Sequence, residues 1–174
     1  MSKFVLMKKI LILRFSSIGD IVLTTPVIRC LKLQLEDSEI HYATKNSFGY
    51  LLQENPYLDK IHLLEKSDSG TSNLIDELKK EDFDYVVDLH HNIRTLLIKL
   101  KLGVKSFSFD KLTFKKILFV KFNLDVMPNV HIVQRYMDAV ATLGVKNDHE
   151  GLDYFYPDRD EVEQNWLPPD FQNG

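Results

Sequence analysis

A single cysteine, Cys30, stands in a chain of 174 residues, which excludes an internal disulfide framework and a cysteine metal cluster. It lies inside an apolar helical pattern, and a reducing, cytoplasmic setting is the expectation. No stretch approaches the roughly 18 apolar residues that a membrane-spanning helix needs. The opening residues, MSKFVLMKK, bring in lysines too early for a secretory signal. There is no Walker loop, no GxGxxG, no internal repeat and no low-complexity tract. Because no cluster with metal-ligand spacing is present either, neither a metal nor another cofactor is expected. A net charge of -3 and a pI near 6.1 exclude a general nucleic-acid binder.

What is present is a good deal of apolar material: 44% of the residues are hydrophobic, enough for one core with a short appendage but not for two full α/β domains. The run KILIL at 9–13 is short and unbroken, as in a strand buried on both faces. Residues 20–35 place Ile21, Val22, Val27, Ile28, Leu31 and Leu35 near a 3.6 period, predicting one helix bent at Pro26. Further strands are predicted at 40–44, 60–64, 85–88 and 104–109. Helices are predicted at 48–54, 73–81 (capped by Ser72), 93–100, 112–122 and 131–143, the last stopped by Gly144. Strands alternating with helices over this length predict a doubly wound parallel α/β sheet, with ligands at the carboxyl ends of its strands.

Charge is unevenly distributed. From 94 to 121 there are eight basic residues and one acid, a local +7, which leaves -10 for the rest of the chain. The segment KLTFKKILFVKF at 111–122 mixes lysines with Phe114, Ile117, Leu118, Phe119 and Phe122. It reads either as a core helix with a solvated basic face or as an interfacial surface for anionic lipid. After Gly144 the character changes: 146–174 holds two basic residues against eight acids and three prolines, which is linker composition.

The loop RFSSIGD at 14–20 joins the first strand to the first helix. Its small residues and glycine allow backbone N–H groups to turn toward a ligand, and the helix start favours negative charge there. The same residues also read as an ordinary turn with Asp20 as N-cap. Asp88, His90, His91, Asn92 and Arg94 crowd the end of the fourth strand, either as ligand groups or as satisfied turn residues. His131 and Gln134, at a helix start near the expected cleft, read either as ligand groups or as capping or surface groups, and His41, His62 and His149 as structural or solvated ones.

The sixteen-residue string RFSSIGDIVLTTPVIR at 14–29 resembles the opening signature of the ADP-heptose:lipopolysaccharide heptosyltransferases, glycosyltransferase family 9. The segments YVVDLHHNIR at 85–94 and HIVQRY at 131–136 are similar to later landmarks of the same family. Members often carry Lys where this chain has Arg14. The resemblance implies a Rossmann-like N-terminal half of a GT-B glycosyltransferase, with 1–145 as the acceptor-side domain. Residues 146–174 would then form an acidic linker toward a C-terminal donor domain that this sequence does not contain. It implies inverting transfer of heptose from an ADP-heptose-type donor to an anionic inner-core glycolipid, with peripheral contact at the inner face of the inner membrane. Asp20 would be the general base, and Arg14, Ser16, Ser17, Gly19, His90, His91 and Arg94 would bind the acceptor. Arg14 would help neutralise the departing pyrophosphate or an acceptor carboxylate. On this reading the chain alone is inactive. Two rivals use the same fold: a flavodoxin-like module whose first loop cradles phosphate or flavin, and a receiver-type domain with Asp88 as phosphoacceptor. The second would want acidic groups just after strand one, where the chain has Arg14 and serines.

Overall fold

The computed structural model describes residues 7–109 and 130–157. The helix expected at 112–122 lies outside them. Five strands, β1 (Lys8–Leu13), β2 (Ser38–Lys45), β3 (Lys60–Leu64), β4 (Tyr85–Asp88) and β5 (Lys105–Ser108), form one all-parallel sheet in the order β3-β2-β1-β4-β5. The doubly wound α/β expectation therefore holds, with β1 in the middle because its apolar run can be covered on both faces. Alternation divides it: Ile10 and Ile12 enter one core with Ile40, Tyr42 and Val87, while Leu11 and Leu13 enter the other with Ala43, Leu64 and Val86. The first core is roofed by α2 (Thr25–Gln34) and α5 (Ile132–Val140), the second by α3 (Gly70–Leu78) and α4 (Ile93–Leu102).

Several local boundaries differ from the sequence expectation. Instead of one bent helix over 20–35 there are two, α1 (Ile18–Val22) and α2. Pro26 lies in the first turn of α2, where a missing N–H removes no helical hydrogen bond, so it begins a helix rather than bending one. Between them the Thr24 hydroxyl donates to the Ile21 carbonyl at 2.6 Å and meets the buried Tyr42 hydroxyl at 2.9 Å. The next helix, α3, starts at Gly70, inside the stretch read as loop, and follows Ser69 rather than Ser72. A Cβ at position 70 would sit 2.2 Å from the Glu65 carbonyl oxygen, so glycine lets the chain turn tightly into the helix there. By contrast, β3 and β4 have the bounds read from the sequence. Asn92 caps α4 by accepting from the Thr95 N–H at 2.9 Å, and Gly103 ends it with φ at +69°.

Residues 146–157 have no regular structure but are tied back to α2. The buried Arg29 guanidinium donates to both Asp148 oxygens at 2.7 and 2.8 Å, to Asp153, and to the Gly151 carbonyl at 3.1 Å. The Asp153 N–H reaches the Thr25 hydroxyl at 2.9 Å. The hydrogen bonds from Arg29 hold the Asp148 carboxyl well below the usual carboxylate range. A depressed folded-state pKa adds stability that is present above the unfolded value and lost as pH falls through the folded one. Arg29→Leu should therefore cost on the order of 2–3 kcal/mol at neutral pH, since it leaves two partly buried carboxylates without their cation. Its loss of stability on acidification should be shallower than that of the parent chain. Urea unfolding as a function of pH measures both effects.

Candidate active site at the strand switch point

The sheet order reverses between β1 and β4, and that switch point is where open α/β sheets hold their ligands. Leu13 and Asp88, the last residues of the two strands, are register partners. The loop 14–17 and the loop that begins at Leu89 are therefore neighbours across the carboxyl edge. The Leu89 N–H extends the ladder by donating to the Leu13 carbonyl at 3.1 Å.

Arg14 joins the two loops. Its side chain is nearly buried, and its Nε donates to the Ser16 carbonyl at 2.8 Å. Nη1 donates to the Leu89 carbonyl, and Nη2 lies 2.5 Å from Asp20 Oδ2. The guanidinium carbon sits 5.7 Å from the centroid of the Tyr136 ring. One planar cation thus fixes its own loop, the loop after β4, the start of α1 and a ring of α5.

Asp20 is held from a second side. Ser17 precedes α1 in extended geometry, and its N–H and hydroxyl donate to Asp20 Oδ2 at 3.0 and 2.9 Å. Asp20 is thus the third helical residue of a reciprocal cap, not the N-cap itself. Among the described residues every contact to its carboxylate falls on Oδ2. Partial burial pushes its pKa up, but the two Ser17 hydrogen bonds and then the Arg14 charge outweigh this and leave it below the ordinary carboxylate value. The carboxylate is ionised at neutral pH.

These groups open onto a cleft of about 320 Å³ lined by Arg14, Ser16, Ser17, Asp20, His90, Phe109, Ile132, Arg135 and Tyr136. Phe109 and Tyr136 pack edge to face with centroids 4.9 Å apart, and the Arg135 guanidinium lies 5.5 Å from the Phe109 centroid. The wall is therefore partly aromatic and partly cationic, with one anionic carboxylate at its edge. Such a mixture suits a polar ligand that carries sugar rings and negative charge.

No protein-family model matches the chain. It is 27% identical over 139 residues to lipopolysaccharide heptosyltransferase 1 of Campylobacter coli, covering 76% of this chain and 41% of that protein. It is 26% identical over 144 residues to lipopolysaccharide heptosyltransferase 3 of Escherichia coli K12, covering 73% and 40%. These similarities support the lipopolysaccharide heptosyltransferases, glycosyltransferase family 9, as the family the chain resembles. The chain spans about two-fifths of the length of these relatives and corresponds to a glycosyltransferase N-terminal domain. Its fold is that of a family 9 glycosyl transferase from Veillonella parvula, with a TM-score of 0.69 at 20% identity, covering 87% of this chain and 46% of that one. The Escherichia coli heptosyltransferase WaaC with ADP-2-deoxy-2-fluoro heptose gives a TM-score of 0.64 at 16% identity, covering 83% and 51%.

In this chain the expected site residues fall into two groups. Arg14, Ser16, Ser17, Asp20 and His90 converge on the cleft. His91 and Arg94 do not line it. The His91 ring meets the Phe109 carbonyl at 3.2 Å, with its backbone at φ +51°. The Arg94 guanidinium lies 5.9 Å from the centroid of the Phe15 ring and lines a neighbouring groove with Lys45, Lys66 and Ser67. Gly19 lies beside the cleft, where a Cβ would meet no protein atom within 4 Å. Asp88 is buried behind the loop, where Oδ1 accepts from the N–H groups of His90 and His91 at 3.1 and 2.7 Å and Oδ2 pairs with Lys99 at 2.8 Å. His131 caps α5 through the Val133 N–H at 3.3 Å, as a capping reading has it.

Sequence reasoning missed Arg135, Tyr136, Phe109 and Ile132. The available signal was the HIVQRY landmark, whose last two residues face the cleft while its histidine only caps. Arg14→Lys should keep the positive charge but lose the fork that reaches three acceptors at once, at a cost of about 1–3 kcal/mol. The Asp20 carboxyl should then titrate higher than in the parent chain. Carboxyl-carbon NMR and thermal melts of the two proteins measure these effects.

Proposed function

We propose that this chain is the acceptor-side half of an enzyme that transfers heptose from an ADP-heptose-type donor to an inner-core lipopolysaccharide acceptor, with inversion at the anomeric carbon. The reading divides the chain at about residue 145, with 146–174 leading toward a donor-binding domain. The acceptor hydroxyl oxygen attacks the anomeric carbon from the face opposite the nucleotide. The sugar–phosphate bond breaks with its electron pair going to ADP, and the hydroxyl proton passes to Asp20. As written, the step uses no metal or other cofactor.

The observation that supports this role for Asp20 is its asymmetric clamp. Ser17 and Arg14 hold Oδ2, while Oδ1 takes none of those bonds at the edge of the cleft. A positioned base typically contributes about 10²–10⁴-fold. Its low pKa makes it a weak base toward a resting hydroxyl, so the proton must move late, as the acceptor oxygen gains positive character. Arg14 is occupied by Asp20 and two carbonyls, which favours a positioning role for it over direct charge neutralisation. His90 and Arg135 line the same cleft as Asp20.

Membrane contact belongs to the same proposal. No helix among the described residues is long and apolar enough to cross a membrane. Yet α4 leaves Ile93 87% and Leu100 70% exposed, with Leu96 and Leu97 also exposed and Arg94 and Lys101 among them. This apolar stripe begins the +7 segment, whose part beyond Phe109 lies outside the described residues. Apolar insertion combined with basic charge is what holds a peripheral protein on an anionic leaflet.

In the complete enzyme, Asp20→Asn should abolish turnover while leaving donor affinity intact. A purely structural role would instead cost about 0.5–2 kcal/mol of stability with turnover retained, so turnover and melting temperature of the same variant decide. Purified 1–174 alone should show no turnover of ADP-heptose, because fast transfer requires both substrates in one cleft. Leu97→Asp with Leu100→Asp should weaken sedimentation with anionic vesicles. Equal sedimentation of variant and parent at low salt would remove the membrane part of the proposal and leave the catalytic part standing.

A further inference from the structure

On the β2–β3 side of the sheet, the fold builds a chain of four side chains that do not line the cleft and that no heptosyl transfer requires. His41 on β2 and His62 on β3, both 0% exposed, face each other with Nδ1 of His41 3.0 Å from Nε2 of His62. Behind each imidazole stands a carboxylate. Glu39 Oε1 is 2.6 Å from Nε2 of His41, and Glu77 Oε1 on α3 is 2.5 Å from Nδ1 of His62. The ring of Phe83 closes one side edge-on to both histidines.

Proton counting shows that this chain is one cation short. It contains three polar contacts: carboxylate to imidazole, imidazole to imidazole, and imidazole to carboxylate. Each needs a positive particle between two lone pairs, and two neutral imidazoles bring only two protons. With both ring protons on the outer nitrogens, where the carboxylates accept them, the two inner nitrogens present lone pairs to each other. That arrangement, an imidazole whose outer N–H is held by a carboxylate, is the one in which histidine binds metal. A third anionic group completes the set, because a Glu81 carboxylate oxygen and one ring nitrogen from each of His41 and His62 all lie within 4.8 Å of one another. Lys60 and Lys9 hold Glu81 in place, and hydrogen bonding from Lys60 keeps its pKa down to about 2. A carboxylate has about four lone-pair sites, so it can keep these lysines and still offer an oxygen.

We propose that His41, His62 and Glu81 form a binding site for a divalent transition-metal ion of the zinc class. The ion would tie together β2, β3 and the turn after α3. Two metal–nitrogen bonds of ordinary length on a tetrahedral ion place their nitrogens about 3.3 Å apart, so the present gap need open only slightly. Metal uptake also replaces the missing positive particle without charging either buried imidazole, which burial disfavours. Residues 41, 62 and 81 come from three separate elements, so their spacing forms no sequence motif. The site lies away from the switch-point cleft, and its role is structural, independent of the transferase proposal.

The test is titration of metal-stripped 1–174 with Zn(II) and Co(II). The expected result is one equivalent bound per chain, tetrahedral visible bands for Co(II), and a melting temperature that rises with metal. His62→Gln should lose the equivalent, and Glu77→Gln, which removes only the carboxylate behind the ring, should weaken binding about 10–100-fold. Circular dichroism checks that each variant is folded. If His62→Gln does not fold, Glu81→Gln at the partly exposed rim carries the comparison and should bind more weakly than the parent. Absence of stoichiometric binding overturns the proposal, as does binding that none of these variants alters. So does imidazole ¹⁵N NMR that shows a protonated pair with no response to metal, which would assign the third positive particle to a shared proton.

Discussion

The site depends on burying one guanidinium between two loops. Arg14 follows directly on the central strand, so its backbone is fixed by the Arg14 N–H bond to the Ala43 carbonyl at 3.1 Å. Its side chain must then find acceptors within reach, because a cation this far from water is costly unless it is paired and hydrogen-bonded. Ser16, Leu89 and Asp20 supply them, and in doing so they fix the shape of the loop 14–17 and its distance from β4. An exposed lysine at this position would satisfy itself with water and impose no such geometry.

The parallel sheet makes that arrangement possible. With β1 between β2 and β4, the loops after β1 and β4 emerge side by side, while the helices that follow leave on opposite faces. The cleft is therefore walled by α1 and α5 from one face of the sheet and by the loop after β4. Asp88 contributes from beneath: by accepting from two successive N–H groups it shapes the turn that presents His90 to the cleft and directs His91 toward Phe109. A buried carboxylate here organises a loop, and Lys99 on α4 supplies its countercharge. The Asp88 pairing explains why a strand-end aspartate can be structural in a fold where that position often carries chemistry.

The acidic segment after Gly144 has a similar logic. Its composition suggests a linker, yet its first dozen residues are held against α2 by a buried arginine that binds two aspartates. Composition reports only how much apolar surface a segment can bury. It does not report a pair of carboxylates spaced to meet one guanidinium from a distant helix.

Much of the architecture was legible in the sequence because short apolar runs and 3.6-residue periods reflect burial directly: β3 and β4 to the residue, and the alternating α/β order as a whole. The RFSSIGD loop and Asp20 were legible too, through a signature that is local in sequence. Boundaries set by close contact were not. Gly70 begins α3 because of a carbonyl five residues back, and Pro26 opens a second helix because Thr24 finds Ile21 and Tyr42. Nor did the sequence separate His90 from His91, place Arg94 outside the cleft, or bring Arg135 and Tyr136 into it. It left His41 and His62 as two isolated histidines. Those assignments depend on strand register and on which way a helix face turns once packed. Both are settled by the summed packing of residues far apart in the chain, and no local pattern encodes them.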